Sequence, residues 1–336
     1  MKIAVDAMGG DYGPRITVEG ALSAARDFGL EVILVGARDL IRQEMSRMGP
    51  QEGVTIVDAP ETIGMGERLR SFRRKYRSSI GISAQLVKDG RADALVSTGN
   101  TAAVVTISQK TLGNLRGVDR PALALLVPTQ QGVTLLIDVG ANANCRPHHL
   151  EQFAVMGKIF MANVLGLAEP RIGLMSIGEE KGKGNELTKA AFERLEAAPL
   201  NFIGNVEGKD IYSGKADIIV SDGFTGNVAL KVSEGLVENM LVMARGEITR
   251  NLLARVGFFL MRRHLRRLFR KLDYAQYGGA HLLGVNGVCV IGHGRSNPTA
   301  VRNAVRLARE YVRTGVTEKI QKEIARTAGA AEGVKA

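Results

Sequence analysis

The sequence contains no tryptophan, two cysteines and few aromatic residues among its 336 positions. Cys145 and Cys289 are too few to build a disulfide framework or a cysteine-rich zinc site, so both are expected to be small buried residues. A nucleophilic Cys145 is the weaker alternative. No apolar run is long enough to cross a bilayer, and residues 1–6 lack the layout of a signal peptide. The sequence therefore predicts a cytoplasmic protein.

Nucleotide and metal motifs are missing as well. Gly178 is not followed at the P-loop spacing by Gly-Lys-Ser/Thr, and no G-x-G-x-x-G opens a predicted helix. The second predicted strand ends in Gly36 instead of the acid that holds a ribose. His148 and His149 lie near Cys145, but adjacent side chains are expected to diverge on a helix, which argues against a metal site. We therefore expect neither a cofactor nor a metal.

One pattern occurs twice, at residues 92–104 and 216–228. Both copies read A-D-x-x-V-S-x-G-x-T-x-x-V. Each joins a short apolar run, typical of a buried parallel strand, to a polar loop and a helical pattern, which directs backbone N–H groups and hydroxyls at one place. Such loops bind anions, above all phosphate. The alternative is that the serines and threonines of the two loops only cap helices, but the repetition favours a shared site.

Strand and helix patterns alternate along the chain. This β-α-β spacing predicts a mainly parallel sheet with helices on both faces, a three-layer α/β/α architecture in which residues 1–336 form a single α/β unit. A Gln-Gln-Gly link between the strands predicted at 120–127 and 133–140 implies one antiparallel hairpin on this sheet. The predicted helices include 14–28, 79–88, 101–112 and 298–326.

Acidic residues and glycines surround the end of the first predicted strand. Asp6 ends this strand, and Gly9, Gly10 and Asp11 follow it. A carboxylate beside glycines, which let a ligand approach the backbone, suits a site at the carboxyl edge of an open sheet. A turn aspartate and a helix cap are the alternative interpretation of Asp6 and Asp11.

The formal net charge of +11 is concentrated in one segment. Residues 245–271 contain eight arginines and one lysine against one glutamate, a net charge of +8 that leaves +3 for the rest of the chain. A projecting, basic, amphipathic helical hairpin is predicted at 239–274. Its apolar corner consists of Phe258, Phe259, Leu260 and Met261. We expect this tip to rest on an anionic membrane surface, with a buried dimer contact as the alternative.

Nucleic acid and an acidic partner are two further alternatives for the basic residues. Nucleic acid is not expected, because few aromatic residues are interleaved with the basic ones of the hairpin. A shorter basic run at 66–76 is interpreted either as a solvated face or as a contact for an acidic partner.

Nine short stretches follow one another in order along the chain. They are Asp6-Ala7-Met8-Gly9-Gly10-Asp11, Ser97-x-Gly99-Asn100-Thr101, Arg120-Pro121-Ala122-Leu123-Ala124, Asp138-x-Gly140-Ala141-Asn142, Gly178-Glu179-Glu180, Lys183-Gly184-Asn185, Gly204-Asn205-Val206-Glu207-Gly208, Ser221-Asp222-Gly223-Phe224-Thr225-Gly226-Asn227 and His293-Gly294. Over nearly its whole length the chain thus resembles the PlsX-type phosphate acyltransferases of bacterial phospholipid synthesis. The family usually has Pro where this chain has His281, and Ala and Gly where it has Thr98 and Ala102.

The resemblance implies a fold similar to those of isopropylmalate dehydrogenases and phosphotransacetylases, and a homodimer. It also implies transfer of a fatty acyl group from acyl carrier protein to inorganic phosphate. The acyl phosphate formed would serve a membrane glycerol-3-phosphate acyltransferase. An acyltransferase that acts on coenzyme A is the alternative, and the sequence does not separate the two thioester carriers.

Such a reaction needs no covalent intermediate. Phosphate is itself the nucleophile, so the protein has to hold it beside the thioester and stabilise the developing oxyanion. The predicted catalytic residues are Asn100, Asn227, Lys183 and His293, of which His293 would protonate the leaving thiolate. The predicted substrate-binding residues are Asp6, Gly9, Gly10, Asp11, Ser97, Gly99, Thr101, Asp138, Asn142, Asn185, Ser221, Gly223 and Thr225.

Overall fold

A computed structural model describes residues 1–49, 52–68, 71, 74–251, 255–264 and 278–333, without the side chains of 249, 250 and 327–333. The strands are β1 (Lys2–Asp6), β2 (Glu31–Gly36), β3 (Val54–Asp58), β4 (Ala94–Ser97), β5 (Ala122–Thr129), β6 (Gly132–Ile137), β7 (Ile172–Met175), β8 (Phe202–Val206), β9 (Ile218–Val220), β10 (Ala280–Leu283) and β11 (Val288–Ile291). The helices are α1 (Pro14–Phe28), α2 (Arg38–Ser46), α3 (Ser79–Lys88), α4 (Thr101–Leu112), α5 (Pro147–Val164), α6 (Glu186–Ala197), α7 (Gly223–Arg250), α8 (255–264), α9 (Pro298–Thr314) and α10 (Val316–Gly333).

The described strands form one sheet in the order β3-β2-β1-β4-β11-β10-β5-β6-β9-β7-β8. The predicted antiparallel hairpin β5/β6 is present. The expectation that the rest of the sheet is parallel was wrong, because β10 runs antiparallel to both β11 and β5. This strand was not recognised because it has only four residues and follows the Gly278-Gly279 pair directly.

The antiparallel pairings divide the sheet into two parallel blocks that point in opposite directions. β3, β2, β1, β4 and β11 form one block, and β6, β9, β7 and β8 form the other. The two repeated motifs therefore lie in different blocks, on β4 and β9. Five steps along the sheet separate these strands, which is roughly 24 Å at about 4.8 Å a step.

Helices cover both faces of the sheet because successive side chains of each strand point to opposite sides. On β4, for example, Ala94 and Val96 pack into the core beside α1, α5 and α9, whereas Leu95 packs on the opposite side with α3 and α4. This is the three-layer arrangement that the sequence predicts.

Most helix boundaries agree with the sequence prediction, including 14–28, 79–88 and 101–112. One helix was predicted at 298–326, and the structure contradicts it. Gly315 has a φ of 59° and ends α9 in the left-handed conformation, so that α10 starts afresh at Val316.

Helix α7 has no fully buried side chain among its described residues after its first turn. Gly226 is its last buried residue, and no described side chain between 227 and 248 or in α8 is buried. The predicted hairpin at 239–274 stays a prediction, because residues 252–254 and 265–274 lie outside the described residues. None of the described helices is long and apolar enough to cross a membrane.

His281 on β10 is an uncharged histidine in the core. Its ring stacks on Tyr311 at 4.4 Å between centroids, and its Nδ1 has no hydrogen-bond partner among the described residues. Burial lowers the pKa of His281 to about 3. Because the unfolded chain binds this proton with a pKa of about 6.5, the unfolded state holds more protons than the native state as the pH falls below that value.

We therefore expect His281 to make the protein less stable in mild acid. Its contribution should reduce the free energy of unfolding by about 2 kcal/mol between pH 8 and pH 5. Urea unfolding of the wild type and of His281→Leu at both pH values checks this, since other titrating groups act equally in the two proteins. Parallel stability curves for the two proteins would contradict the assignment.

Candidate functional site

The first repeated loop lies against the end of β1, because β1 and β4 are neighbours in the sheet. The hydroxyl of Ser97 donates to Asp6 Oδ2 at 2.6 Å, and the Ser97 Oγ accepts from the backbone N–H of Gly99 at 3.1 Å. Asp6 also accepts from the backbone of Met8 at 3.1 Å. Burial raises the pKa of Asp6 although these groups and Ser79 donate hydrogen bonds to it. Asp6 and Ser97 thus fix the shape of the loop.

Two glycines let the loops after β1 and β4 touch. A Cβ on Gly9 would lie 2.7 Å from the backbone nitrogen of Gly99, and Gly10 adopts a φ of 90° beside Thr98. Asp11 donates its backbone N–H to the carbonyl of Gly294 at 2.8 Å, which brings in the loop after β11. Asp6, Gly9, Gly10, Asp11, Ser97, Gly99 and Gly294 therefore form one cluster, which we call the first cluster.

Asn100 has a structural role in this cluster. It is the N-cap of α4: its Oδ1 accepts from the N–H of Ala103 at 3.1 Å, and its Nδ2 donates to the carbonyl of Met65 at 2.7 Å. The neighbouring Thr101 is exposed and makes no hydrogen bond through its side chain to a described residue. Helix capping was the alternative reading of this loop, but the capping residue is Asn100 rather than the serine or threonine.

The second repeated loop is held by Asp138, which follows β6. Oδ1 of Asp138 accepts from the backbone N–H groups of Leu123, Gly140 and Ala141 at 2.9–3.0 Å. Oδ2 accepts from the backbone and the side-chain amide of Asn142 at 2.8 and 2.9 Å. Burial raises the pKa of Asp138, but all five neighbours are donors, so a proton on this carboxyl would have no acceptor among them.

The start of α7 packs on this Asp138 loop. The Ser221 hydroxyl donates to the carbonyl of Asp138 at 3.1 Å, and Gly223 and Gly226 have no room for a Cβ beside residues 138–142. Asp222 caps the helix by accepting from the N–H groups of Phe224 and Thr225, and it also accepts from the Thr225 hydroxyl at 2.7 Å. Asp138, Asn142, Ser221, Gly223 and Thr225 thus form the second cluster.

Asn227 lies beside the second cluster and offers an available polar side chain there. Its side chain is exposed beside Gly140 and makes no hydrogen bond to any described residue. Asn227, Lys231 and Glu234 are spaced i, i+4, i+7, so they share one face of α7 over about 10.5 Å. Lys231 donates to Glu234 at 2.7 Å.

This polar face of α7 leads from the second cluster to the first. Glu234 lies 3.6 Å from Nε2 of His293, whose Nδ1 accepts from the N–H of Arg295, so that Nε2 carries the proton. Burial acts against ionisation of Glu234, yet hydrogen bonds from His293 and Lys231 lower its pKa. Gly294, the next residue, belongs to the first cluster. No hydrogen bond or ion pair joins the two repeated loops in the described part of the chain, and their use of one site stays a prediction.

Lys183 and Asn185 lie apart from both repeats, in the loop between β7 and α6. Asn185 caps α6 by accepting from the N–H of Thr188 at 2.9 Å. Lys183 is exposed and forms no ion pair with a described residue. Below this loop the enclosed Ser176 Oγ and Asn205 Oδ1 have no hydrogen-bond partner among the residues that the structure describes. Since β7 pairs with β9, these groups border the second cluster.

The structure corrects the expectation that the paired histidines diverge. Nε2 of His148 and of His149 lie 2.9 and 2.7 Å from the same Asp119 oxygen, and hydrogen bonds from both rings lower the pKa of Asp119 to about 2. His149 Nδ1 accepts from the N–H of Arg146, so its Nε2 must carry a proton and has no lone pair for a metal. Burial raises the pKa of the Cys145 thiol to about 11, which argues against a nucleophile.

A family described as "Fatty acid synthesis protein" matches residues 1–319. A phosphate acyltransferase from Pelotomaculum thermopropionicum is 48% identical over 325 residues, which cover 96% of this chain and 95% of the relative. The chain belongs to this family. A second phosphate acyltransferase, from Gloeobacter violaceus, is 46% identical over 327 residues and 96% and 97% of the two chains. The predicted family and the predicted enzyme class are thereby confirmed.

Solved structures confirm the predicted fold class. A phosphotransacetylase from Streptococcus pyogenes has a TM-score of 0.65 at 18% identity, over 93% of this chain and 94% of its own. A 4-hydroxythreonine-4-phosphate dehydrogenase from Klebsiella pneumoniae has a TM-score of 0.53 at 15% identity, over 93% and 99%. At these identities the likeness concerns the fold alone.

The sequence did not lead to four residues that lie beside the predicted site residues. Glu234, the partner of His293, lies within a helix whose polar spacing from Asn227 was readable but not used. Asp222 was passed over as the cap of α7 although aspartate is among the preferred capping residues. Ser176 and Asn205 carry no local signal, because only the pairing of β7 with β8 places them together.

Proposed function

We propose that the chain transfers a fatty acyl group from acyl carrier protein to inorganic phosphate, and that the acyl phosphate enters phospholipid synthesis. Membership of a family whose named members are phosphate acyltransferases supports this. The observation that carries the proposal is the polar face of α7. It presents the available carboxamide of Asn227 at one cluster and the Glu234–His293 pair at the other.

The reaction requires stabilisation of the oxyanion, binding of phosphate and assistance to the leaving sulfur, and the chain has a side chain for each of these. A phosphate oxygen attacks the thioester carbonyl carbon, the carbon–sulfur bond breaks, and the sulfur leaves with the bonding electrons and takes up a proton. Asn227 donates to the oxyanion that develops on the carbonyl, and Lys183 places a positive charge on the phosphate. The Nε2–H of His293, which Glu234 orients, donates a hydrogen bond to the departing sulfur, and the thiolate then takes its proton from water.

Release of thiol from acyl-acyl carrier protein should therefore depend on phosphate. The purified chain is expected to release thiol at a rate that saturates with added phosphate, without metal or nicotinamide. A thiol-reactive dye measures this, and sulfate of equal ionic strength is the control. A rate that is independent of phosphate would contradict the proposal, and equal turnover of the coenzyme A thioester would favour that carrier instead.

Contact with an anionic membrane is proposed for the tip of the predicted hairpin. Phe259 and Leu260 are 58% and 73% exposed, and Arg262 lies over the Phe259 ring at 4.2 Å. Apolar side chains next to arginines suit the boundary between lipid headgroups and acyl chains. A membrane position would pass the poorly soluble acyl phosphate to a membrane glycerol-3-phosphate acyltransferase, in keeping with a cytoplasmic, peripherally bound protein.

The double variant Phe258→Asp/Leu260→Asp should lose binding to anionic vesicles. Each apolar side chain buried in lipid contributes roughly 1.5–3 kcal/mol, so sedimentation with vesicles should fall by at least tenfold. Both residues are exposed, and activity on dispersed substrate should stay unchanged. Ile203→Asp, on another exposed apolar residue, is the control. Undiminished sedimentation of the double variant would rule out this contact.

A homodimer is proposed from a second surface, the apolar stripe of α7. Val228, Val232, Leu236 and Met240 recur every four residues and are all exposed. These side chains lie on a different face from Asn227 and Glu234, so a second copy can cover the stripe without covering the polar face. Sedimentation of the purified chain as a monomer would contradict the proposal.

A further inference from the structure

The excess of basic over acidic residues is concentrated in two segments of the sequence. Residues 245–271 carry a net +8 of the total of +11. Residues 64–77, which we call the basic segment, contain six basic residues and one acidic residue, a net +5. The rest of the chain is therefore slightly negative, with a net charge of −2. The basic segment is a second stretch of concentrated positive charge that the function described above does not use.

Both ends of the basic segment are attached to the first cluster. At its start, the carbonyl of Met65 accepts from Asn100 Nδ2 at 2.7 Å, and the Met65 side chain lies against Gly294. Directly after its end, Ser78 caps α3 and Ser79 donates a hydrogen bond to Asp6. The segment is thus a rim of the first cluster.

One basic residue of the segment is engaged in local contacts, and three others are available to a partner. Lys75 bonds to Glu67 at 2.9 Å and to the carbonyl of Thr62 at 2.9 Å, which closes the segment into a loop. Arg68, Arg74 and Arg77 are exposed and form no ion pair with any residue that the structure describes. Arg70 and Arg73 belong to the same segment but lie outside the described residues.

The described residues of the segment favour an acidic protein over the other anionic partners. Tyr76 is its one exposed large apolar side chain among the described residues, and Lys110 covers that ring. A membrane contact needs apolar side chains to bury, as at Phe258–Met261, and single-stranded nucleic acid needs open aromatic faces for stacking. Leu69 and Phe72 lie outside the described residues, and the exposed arginines on either side of them, Arg68, Arg74 and Arg77, suit the carboxylates of an acidic protein surface.

We propose that Arg68, Arg74 and Arg77 of the basic segment form a docking surface for the acidic carrier protein that brings the acyl thioester to the first cluster. The proposal rests on the proposed function, since it names the surface on which that carrier protein binds. Docking on the rim places the thioester close to the loops after β1 and β4. The arginines act on encounter and binding of the carrier and take no part in bond breaking.

Charge reversal of the available arginines tests the proposal. In Arg68→Glu/Arg74→Glu/Arg77→Glu, kcat/KM for the acyl-carrier protein should fall by at least about tenfold, because rim charges govern association. Turnover of the same acyl group on uncharged N-acetylcysteamine should stay within twofold. The wild-type kcat/KM for the carrier should also fall with added salt more steeply than that of the variant.

A matched triple variant controls for the change in net charge. Arg42→Glu/Arg313→Glu/Lys322→Glu reverses three exposed basic residues of other surfaces, none of which forms an ion pair with a described residue, and should leave both substrates unchanged. Equal losses on both thioesters in the first variant, or no loss on the carrier, would overturn the proposal. If the first variant loses vesicle binding but keeps its turnover of the carrier, the segment is a membrane contact, and this result would overturn the proposal as well.

Direct binding separates this proposal from the proposed function. Fluorescence anisotropy of labelled holo-acyl carrier protein should show saturable binding to the wild type that is lost in the arginine variant and kept in the control variant. This result supports the docking surface even if no acyl phosphate is formed. Equal binding by all three proteins would overturn it even if the enzyme is active.

Discussion

Asn227→Ala protein should form acyl phosphate about 10²–10³-fold more slowly than the wild type, because removal of one preorganised oxyanion donor costs about 2.7–4 kcal/mol of transition-state stabilisation. The free energy of unfolding should not change, since this side chain is exposed and makes no hydrogen bond to a described residue. Steady-state kinetics with saturating phosphate and urea unfolding measure the two quantities.

Asn100→Ala is the matched control for Asn227→Ala. The sequence predicts the same role for both asparagines, but Asn100 caps α4 and holds Met65 through its amide. Its loss should therefore reduce the free energy of unfolding by about 1 kcal/mol. If Asn227→Ala keeps kcat within threefold of the wild type, Asn227 has no part in the chemistry.

Asp138→Asn is expected to have the largest effect on stability. Whichever oxygen becomes an amide nitrogen, it faces at least two N–H donors that it can no longer accept from. Hydrogen bonds to a charged group contribute about 1.5–3 kcal/mol each, so the free energy of unfolding should fall by about 3–6 kcal/mol. Urea unfolding followed by circular dichroism measures this change.

Asp58→Asn provides the comparison for Asp138→Asn. Asp58 also follows the pattern of an acid at the end of a strand, but it is exposed and accepts from one backbone N–H, that of Arg38, at 3.1 Å. Its replacement should cost less than about 1 kcal/mol. A loss of that small size in Asp138→Asn would show that the five donors find other acceptors.

The sequence was sufficient where a local signal determines the structure. Pro14 at the start of α1 and Gly29 after its end fix that helix, and the apolar runs of β4 and β9 identify buried strands. The repeat also indicated polar clusters at the ends of these strands. Clusters with the predicted residues are present at both places.

The order of the strands and the partners of the polar side chains could not be predicted from the sequence. β10 and β5 separate the two blocks and the β5/β6 hairpin reverses the strand direction, so the two copies of one motif lie in opposed blocks rather than side by side. Asn100 and Asn227 occupy comparable loops, yet Met65 engages only the first, and a contact over 35 residues leaves no trace in either motif. Long-range contacts of this kind decide which polar side chain remains available.

Transfer of the acyl group to phosphate rather than to water is tested most directly by following radiolabelled phosphate. With acyl-acyl carrier protein and [³²P]phosphate, the wild type should place one label in acyl phosphate for each thiol released, and Asn227→Ala should lose both signals together. Thiol release accompanied by free fatty acid, without label in acyl phosphate, would contradict the account.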